Sequence, residues 1–228
     1  MKTNKGIALL SRHNSYVGRQ YAQALLDANI SFYFIQFGEH DEIDEAENRR
    51  CGGLWSVPII DKFSECEIVR LRSLKDNQLR DFVKNNNISL AIQGDVGEIL
   101  EQEIIDIFSD GILNFHPGDL PDYRGCSAPE WQIYDFKQVK CTCHFIDTGI
   151  DTGEIVEKKI LNICEESYQK MRASIYPKIS EFVAKIVSDY LNNELLQSTK
   201  QTEGTFRPYI GDEKIAEISL RMAKKMHS

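Results

Sequence analysis

Several common signatures are missing from this sequence of 228 residues. The loop after the first predicted strand carries neither G-x-G-x-x-G nor G-x-x-x-x-G-K, which excludes a dinucleotide fingerprint and a P-loop. The six cysteines include no C-x-x-C pair, so their spacing predicts reduced, packed thiols and no zinc site. No apolar run approaches the roughly 20 residues of a membrane-spanning helix.

Positive charge is also scarce. The formal net charge is −8, which leaves no basic face of the kind that nucleic-acid binding requires. Residues 1–5 lead straight into a short apolar strand, without the hydrophobic region and cleavage site of a signal peptide. We therefore expect a cytoplasmic protein with no nucleic-acid or membrane partner. The length suits one domain, or one domain with a small appendage.

The first 36 residues predict a β-α-β unit. Residues 5–10 are an apolar strand, Ser15 caps a helix over residues 16–28, and residues 30–36 form the second strand. Such a unit implies a parallel sheet with a right-handed crossover.

The loop after the first strand lies at the carboxyl edge of this sheet. It holds Arg12, His13 and Asn14, and Arg19 follows in the helix. These side chains either contact a phosphate or sugar, or they belong to a solvated loop.

The pattern then continues through further strands and helices. It predicts helices at 76–85, 98–108, 128–136, 171–190 and 215–226, with Asp76 as the cap of the first and Ser127 as the cap of the third. It also predicts a strand at 88–92, a strand that ends at His116, and strands at 141–146 and 153–161. Pro177 is expected to kink or divide the long helix. Whether residues 42–50 are helical stays open. The fold class is an open, mostly parallel Rossmann-like α/β sheet.

The stretch from Gly111 to Gly153 carries the chemistry. Asn114 and His116 share one face of a strand because side chains alternate, and a Pro-Gly pair stops that strand directly after the histidine. In open α/β sheets, ligands bind at this end of the strands.

Two Asp-Thr-Gly units follow the next strand, at Asp147–Gly149 and Asp151–Gly153. A carboxylate close to His116 is expected to raise its pKa and favour the imidazolium. An amide, an imidazole and a carboxylate together suit a reaction in which a carbonyl oxygen gains negative charge while a nucleophile loses a proton.

Three segments in this order resemble the folate-dependent formyltransferase family. They are Asn114-Phe115-His116-Pro117-Gly118, Leu120-Pro121-Asp122-Tyr123-Arg124-Gly125 and Gly149-Ile150-Asp151-Thr152-Gly153. The resemblance implies an open α/β sheet that transfers a formyl group from 10-formyltetrahydrofolate to an amine, without a metal. It places the catalytic trio on Asn114, His116 and Asp151, and makes Asp147 a turn residue.

The resemblance also suggests binding residues. It implies that the loop of Gln93, Gly94, Asp95, Val96 and Gly97 holds the pterin ring, although a plain strand-to-helix turn explains these glycines equally well.

We expect the acceptor to contact Arg12, His13, Asn14, Tyr123 and Arg124. Arg124 has an alternative role, which is to brace its own turn.

The acceptor is inferred by elimination within the family. A nucleotide-linked (dTDP-, UDP- or GDP-) amino sugar is favoured, because few residues follow Leu161 for a transfer-RNA-binding domain and the loop after the first strand differs from the glycinamide type. Phosphoribosylglycinamide formyltransferase and a non-catalytic folate-binding module remain alternatives. We expect a catalytic domain at residues 1–195 and a C-terminal extension at 196–228. The oligomeric state, including a homodimer, stays open.

Overall fold

The computed structural model describes residues 5–13, 15–38, 45–56, 66–75, 77–192 and 196–225. The strands are β1 (Gly6–Arg12), β2 (Tyr33–Phe37), β3 (Glu67–Leu71), β4 (Ile88–Asp95), β5 (Ile112–His116), β6 (Arg124–Gly125), β7 (Lys140–Phe145), β8 (Ile155–Ile160) and β9 (Phe206–Arg207). The helices are α1 (Tyr16–Asp27), α2 (Glu45–Arg50), α3 (Asn77–Asn85), α4 (Gln102–Ile105), α5 (Ala128–Tyr134), α6 (Tyr168–Leu191) and α7 (Asp212–Lys225).

Seven of the described strands form one sheet in the order β3-β2-β1-β4-β5-β7-β8. The strands from β3 to β5 are parallel, while β7 runs antiparallel to both of its neighbours. The predicted open, mostly parallel α/β sheet is confirmed. A second, two-stranded sheet pairs β6 with β9 in parallel, and this pairing joins the C-terminal extension to the middle of the chain.

Alternation along the central strands divides the core into two layers. In β1, Ile7 and Leu9 pack in the layer that contains α1 and α6, while Ala8 and Leu10 pack in the layer on the opposite face of the sheet. Parallel strands covered on both faces are apolar throughout, as β1 is. The carboxyl ends of β1, β4 and β5 are thereby held rigidly side by side.

The helices depart from the predicted ones at three places. The helix predicted at 98–108 shortens to α4, and residues 96–101 before it have no regular secondary structure although Val96 and Leu100 are buried. α6 runs without a break through Pro177, which excludes a second segment and leaves the predicted kink as the remaining alternative. The open question at residues 42–50 resolves as α2, which begins at Glu45; residues 42–44 lie outside the described part of the chain.

The three predicted helix caps have different outcomes. The Ser15 side chain accepts a hydrogen bond from the Gly18 amide, which confirms it as the cap of α1. Ser127 makes no such bond to α5, because its backbone is left-handed and its hydroxyl instead accepts from the Ile210 amide. Asp76, the predicted cap of α3, lies outside the described residues. None of the described helices combines the length and apolar composition needed to cross a membrane.

Candidate active site

Asn114 and His116 lie at the carboxyl end of β5, in the middle of the sheet. The intervening Phe115 points to the other face and packs edge-to-face against Tyr21 and Phe182. Burial of the Phe115 ring fixes which face of β5 points towards Tyr21 and Phe182, because a shift of one residue would place Asn114 and His116 on that face instead. The amide and the imidazole therefore face the same side of the sheet, as the alternation predicted.

Asp151 is brought to these two side chains by the loop that joins β7 to β8. Its Oδ2 lies 3.4 Å from His116 Nδ1 and its Oδ1 lies 3.5 Å from Asn114 Nδ2. The Gly125 amide donates a 2.8 Å hydrogen bond to Oδ2. Asp151 has a left-handed backbone, with φ of 54°. The predicted trio thus forms one contact group, while the role of each member remains a proposal.

His116 is buried, and both ring nitrogens face oxygen atoms. Nε2 lies 2.6 Å from the Tyr123 carbonyl oxygen, which can only accept, so Nε2 carries a proton. Nδ1 is therefore the nitrogen that gains or loses a proton, and it faces Asp151.

The pKa of His116 differs in direction from our expectation. Burial lowers the pKa of His116 and outweighs the Asp151 carboxylate, which raises it, and the Tyr123 carbonyl, which also raises it. The net shift of the His116 pKa is therefore opposite in direction to the expected one. Burial of the His116 ring disfavours its charged form by more than the nearby carboxylate favours it.

Asp151 stays ionised across the neutral range. Burial raises the pKa of Asp151, but the imidazoles of His144 and His116 and the Gly125 amide lower it further, and the net shift is downward. Asp151 therefore keeps a negative charge within the site.

His144 belongs to the site although the sequence did not single it out. It lies on β7 directly opposite Asn114, and its Nε2 is 3.1 Å from Asn114 Nδ2. Its Nδ1 is 2.8 Å from the Phe145 carbonyl oxygen, so Nδ1 carries a proton and Nε2 is the atom that accepts from the Asn114 amide. His144 therefore sets the orientation of the Asn114 amide. Alternation along β7 predicts that His144 and the apolar side chains of this strand lie on different faces of the sheet. Only the register between β7 and β5 shows that its partner is Asn114.

A cleft of about 570 Å³ opens above these residues. This volume falls within the range of small-molecule sites. Its wall contains the trio together with residues from several elements, namely Arg12, Ser15, Tyr16, Val17, Tyr21, Trp55, Gln93, Gly94, Asp95, Gly97, Phe115, Pro117, Gly125, Cys126, Tyr176 and Tyr209. The loop predicted to hold the pterin thus borders the cleft, except for Val96, which is buried in the core.

The Gln93–Gly97 loop approaches the first loop closely. A Cβ atom at Gly94 would lie 3.0 Å from the Cα of Gly18, and one at Gly97 would lie 3.1 Å from the Arg12 side chain. Gly94 is buried at this contact, whereas Gly97 is exposed at the cleft. The role of the loop in holding a pterin ring stays a prediction.

Arg12 spans the same two loops. Its guanidinium lies 2.7 Å from Asp95 Oδ2, which also accepts a 2.9 Å hydrogen bond from the Ser15 hydroxyl. Among the described residues, no group of three or more His, Cys, Asp or Glu side chains is arranged to hold a metal ion.

A model of the family described as "Formyl transferase" matches residues 3–189, which is most of the chain. The chain belongs to the formyl transferase family. The matched range includes every member of the trio and ends before the C-terminal extension.

Relatives in this family include a methionyl-tRNA formyltransferase from Thermodesulfovibrio yellowstonii. It is 29% identical over 142 residues, which cover 60% of this chain and 45% of the relative. The chain spans about half the length of the curated relatives that it matches.

Solved structures show the same fold. An N-formyltransferase from Helicobacter canadensis, in complex with folinic acid and dTDP-3-aminofucose, has a TM-score of 0.64 at 15% identity and covers 97% of this chain and 82% of its own. Glycinamide ribonucleotide transformylase 1 from Symbiobacterium toebii has a TM-score of 0.60 at 16% identity, with coverage of 87% and 94%. At these identities the similarity extends to the fold alone.

The structure places two of the predicted acceptor-binding residues away from the cleft wall. The Tyr123 hydroxyl donates to Asp135, so its side chain leaves the cleft. Arg124 donates to the Gln201 side chain and the Thr202 carbonyl, which supports the bracing alternative. Asp135 lies in the turn after α5, and Gln201 and Thr202 lie in the C-terminal extension. The sequence around Tyr123 and Arg124 does not predict contacts with residues so far along the chain.

The other predicted positions have mixed outcomes. Arg12 lines the cleft, whereas His13 and Arg19 do not appear in its wall. Asn14 lies outside the described residues. Asp147 accepts bonds from the Gly149 amide and the Thr152 hydroxyl, which confirms it as a turn residue.

Proposed function

We propose that this protein transfers a formyl group from 10-formyltetrahydrofolate to the amine of a nucleotide-linked amino sugar. The observation that carries formyl transfer is the contact group of Asn114, His116 and Asp151 at the floor of the cleft. The membership of the chain in the formyl transferase family supports the same reaction. When bound, the folate donor supplies the formyl group.

Asn114 stabilises the negative charge that develops on an oxygen in the cleft. The Asn114 Nδ2 atom donates one hydrogen to His144 Nε2, across 3.1 Å, and the other to Asp151 Oδ1, across a longer 3.5 Å. The second hydrogen is the one that a substrate oxygen can take over. Loss of one such donor typically reduces turnover by roughly 100-fold or more.

His116 and Asp151 together accept the proton that the amine loses as it bonds to the formyl carbon, and they return it to the donor nitrogen whose bond to that carbon breaks. When the ring is neutral, the lone pair of His116 Nδ1 faces Asp151 Oδ2 across 3.4 Å. Two acceptors in contact repel each other, and a proton on Nδ1 converts the repulsion into attraction. Burial lowers the pKa of His116 and leaves the ring neutral and ready to receive that proton.

The aromatic wall of the cleft supports an acceptor with a nucleobase. Tyr16 and Trp55 stack with their ring centroids 4.0 Å apart, and Tyr176 packs edge-on against Tyr16. Tyr209 lines the same cleft. Bases stack on aromatic side chains, whereas glycinamide ribonucleotide carries no base. The net charge of −8 disfavours transfer RNA, because phosphate-backbone binding needs clustered lysine and arginine.

The acceptor is tested by incubating the protein with 10-formyltetrahydrofolate and dTDP-, UDP- or GDP-linked amino sugars. We expect mass spectrometry to show a gain of one formyl group on a nucleotide sugar, and competitive inhibition by the free nucleoside diphosphate. Formylation of glycinamide ribonucleotide or of aminoacylated transfer RNA, with the sugars inert, would overturn this assignment.

A Trp55→Leu variant tests the nucleobase contact. Stacking contributes about 1–3 kcal/mol per base, so the KM for the acceptor should rise by about 5- to 150-fold while kcat changes little. Phe136→Leu is the matched control, since this exposed ring lies outside the cleft wall. Equal KM values for the two variants would contradict base stacking on Trp55.

A further inference from the structure

Gln201 connects the C-terminal extension to the loop that carries Asp151. Its side-chain Nε2 donates to the carbonyl oxygens of Asp151, at 2.9 Å, and Gly153, at 2.6 Å. Its Oε1 accepts from the Nε of Arg124, at 3.2 Å, and from the terminal nitrogen of Arg124, at 2.8 Å. Both amide hydrogens and both lone pairs are therefore in use, and only glutamine has this set of groups at this length.

The backbone of Asp151 is in a conformation that needs such support. A residue with a side chain rarely holds a φ of 54°, and it persists only where neighbouring contacts enforce it. The backbone direction at Asp151 fixes where its carboxylate lies. By holding the carbonyls of Asp151 and Gly153, Gln201 fixes the 3.4 Å approach of the carboxylate to His116.

A second connection reaches the carboxylate itself. In the β6–β9 pair, the Arg124 amide donates to the Thr205 carbonyl at 3.1 Å and the Cys126 amide donates to the Arg207 carbonyl at 2.9 Å. Between these two bonds, the Gly125 amide points the other way and donates to Asp151 Oδ2 at 2.8 Å. Strand β9 thereby orients the amide that binds the carboxylate.

We propose that Arg124 and Gln201 are positioning residues that hold Asp151 in its reactive place, so that residues 199–210 form part of the active site. These residues lie beyond the range 3–189 that the family model matches. The inference rests on the proposed formyl transfer, and it assigns Arg124 to the support of Asp151 instead of to substrate binding.

Steady-state kinetics of Gln201→Met, Arg124→Met and the double variant test the proposal. Each single variant should lower kcat by on the order of 10- to 100-fold, since a displacement of about 1 Å at a reacting group has such effects. The KM for both substrates should stay within a factor of about two. The double variant should be no slower than the slower single variant, because the two side chains act through one contact.

The matched variants separate positioning from general damage. Glu203→Gln, at an exposed neighbour on the same segment, should retain wild-type kinetics. Arg124→Lys should recover part of the kcat lost in Arg124→Met. Should Gln201→Met fail to fold, Gln201→Glu preserves length and the Arg124 contact while directing an acceptor at two carbonyls, and its kcat should fall as well.

A readout without turnover distinguishes this proposal from the proposed function. The titration of His116, followed by NMR, should move to lower pKa in Gln201→Met than in wild type, because the Asp151 charge that raises it has moved away. This shift is expected even if no acceptor is formylated. An unchanged His116 titration together with wild-type kcat would overturn the proposal, and so would an Arg124→Met variant that changes only the acceptor KM.

Discussion

Replacing Gly125 by alanine tests whether the β6–β9 pair holds Asp151 in its place. Gly125 has φ of 93°, a left-handed conformation that disfavours any side chain. A Cβ atom there would lie 2.5 Å from the Arg207 carbonyl oxygen and 2.7 Å from the Phe206 ring. The carbonyl belongs to the paired backbone, so it cannot swing aside as a flexible side chain would. The β6–β9 pair must therefore separate.

The size of the effect follows from these contacts. The left-handed backbone costs about 1–2 kcal/mol for a residue with a Cβ. Separation of the strands weakens the Arg124–Thr205 and Cys126–Arg207 hydrogen bonds, each with a net contribution of about 1 kcal/mol. We expect a loss of about 2–4 kcal/mol in the free energy of unfolding. For a chain of this size the Tm should fall by roughly 5–15 °C.

Thermal unfolding and steady-state kinetics measure both consequences. The variant should also lose on the order of 10- to 100-fold in kcat, because the Gly125 amide withdraws from Asp151. Gly211→Ala is the matched control, since its φ lies outside the left-handed region and a Cβ would meet no atom within 4 Å. A Gly125→Ala variant with the Tm and kcat of this control would refute the reasoning.

Three further predictions concern the histidines and the amide. His116→Ala and Asn114→Ala should each lower kcat by roughly 100-fold or more while circular dichroism stays unchanged, and near-normal rates would contradict the mechanism. His144→Phe should lower kcat by about 10-fold, and His144→Gln should restore part of it by offering Asn114 an acceptor; equal rates in both variants would argue against orientation of the amide. The lowered pKa of His116 means that the unfolded chain binds a proton that the folded chain refuses between the folded pKa and about 6.5, so stability should rise with pH through this window. Urea unfolding at pH 5 and 7.5 should show this rise in wild type and a smaller one in His116→Gln.

Local patterns were sufficient for the central strands and for two members of the site. Strict alternation around the buried Phe115 placed Asn114 and His116 on one face, and the Pro-Gly pair marked the end of β5. Asp151 required the family motif as well, because an Asp-Thr-Gly unit occurs twice within seven residues and both copies are typical of turns.

Non-local pairing explains most of what the sequence could not predict. The partner of His144 depends on the register between β5 and β7, which no local periodicity contains. Arg124 contacts Gln201 from 77 positions away, and the sequence around each residue is equally compatible with a solvated loop. The helix predicted over 98–108 was too long for a different reason, since Leu100 and Phe108 are both buried although only residues 102–105 between them are helical.

The β6–β9 pair also bears on the order in which the molecule assembles. Gly125 lies about 80 residues from Arg207, which is about as far as Leu9 lies from its partner Ile92 in the central sheet. The β6–β9 pair, however, joins only two residues of each strand, so by itself it does not repay the entropy cost of closing so long a loop, and it should form after the sheet. During refolding, the sheet should therefore regain its circular dichroism before Asp151 acquires its final geometry, and catalytic competence should lag behind secondary structure.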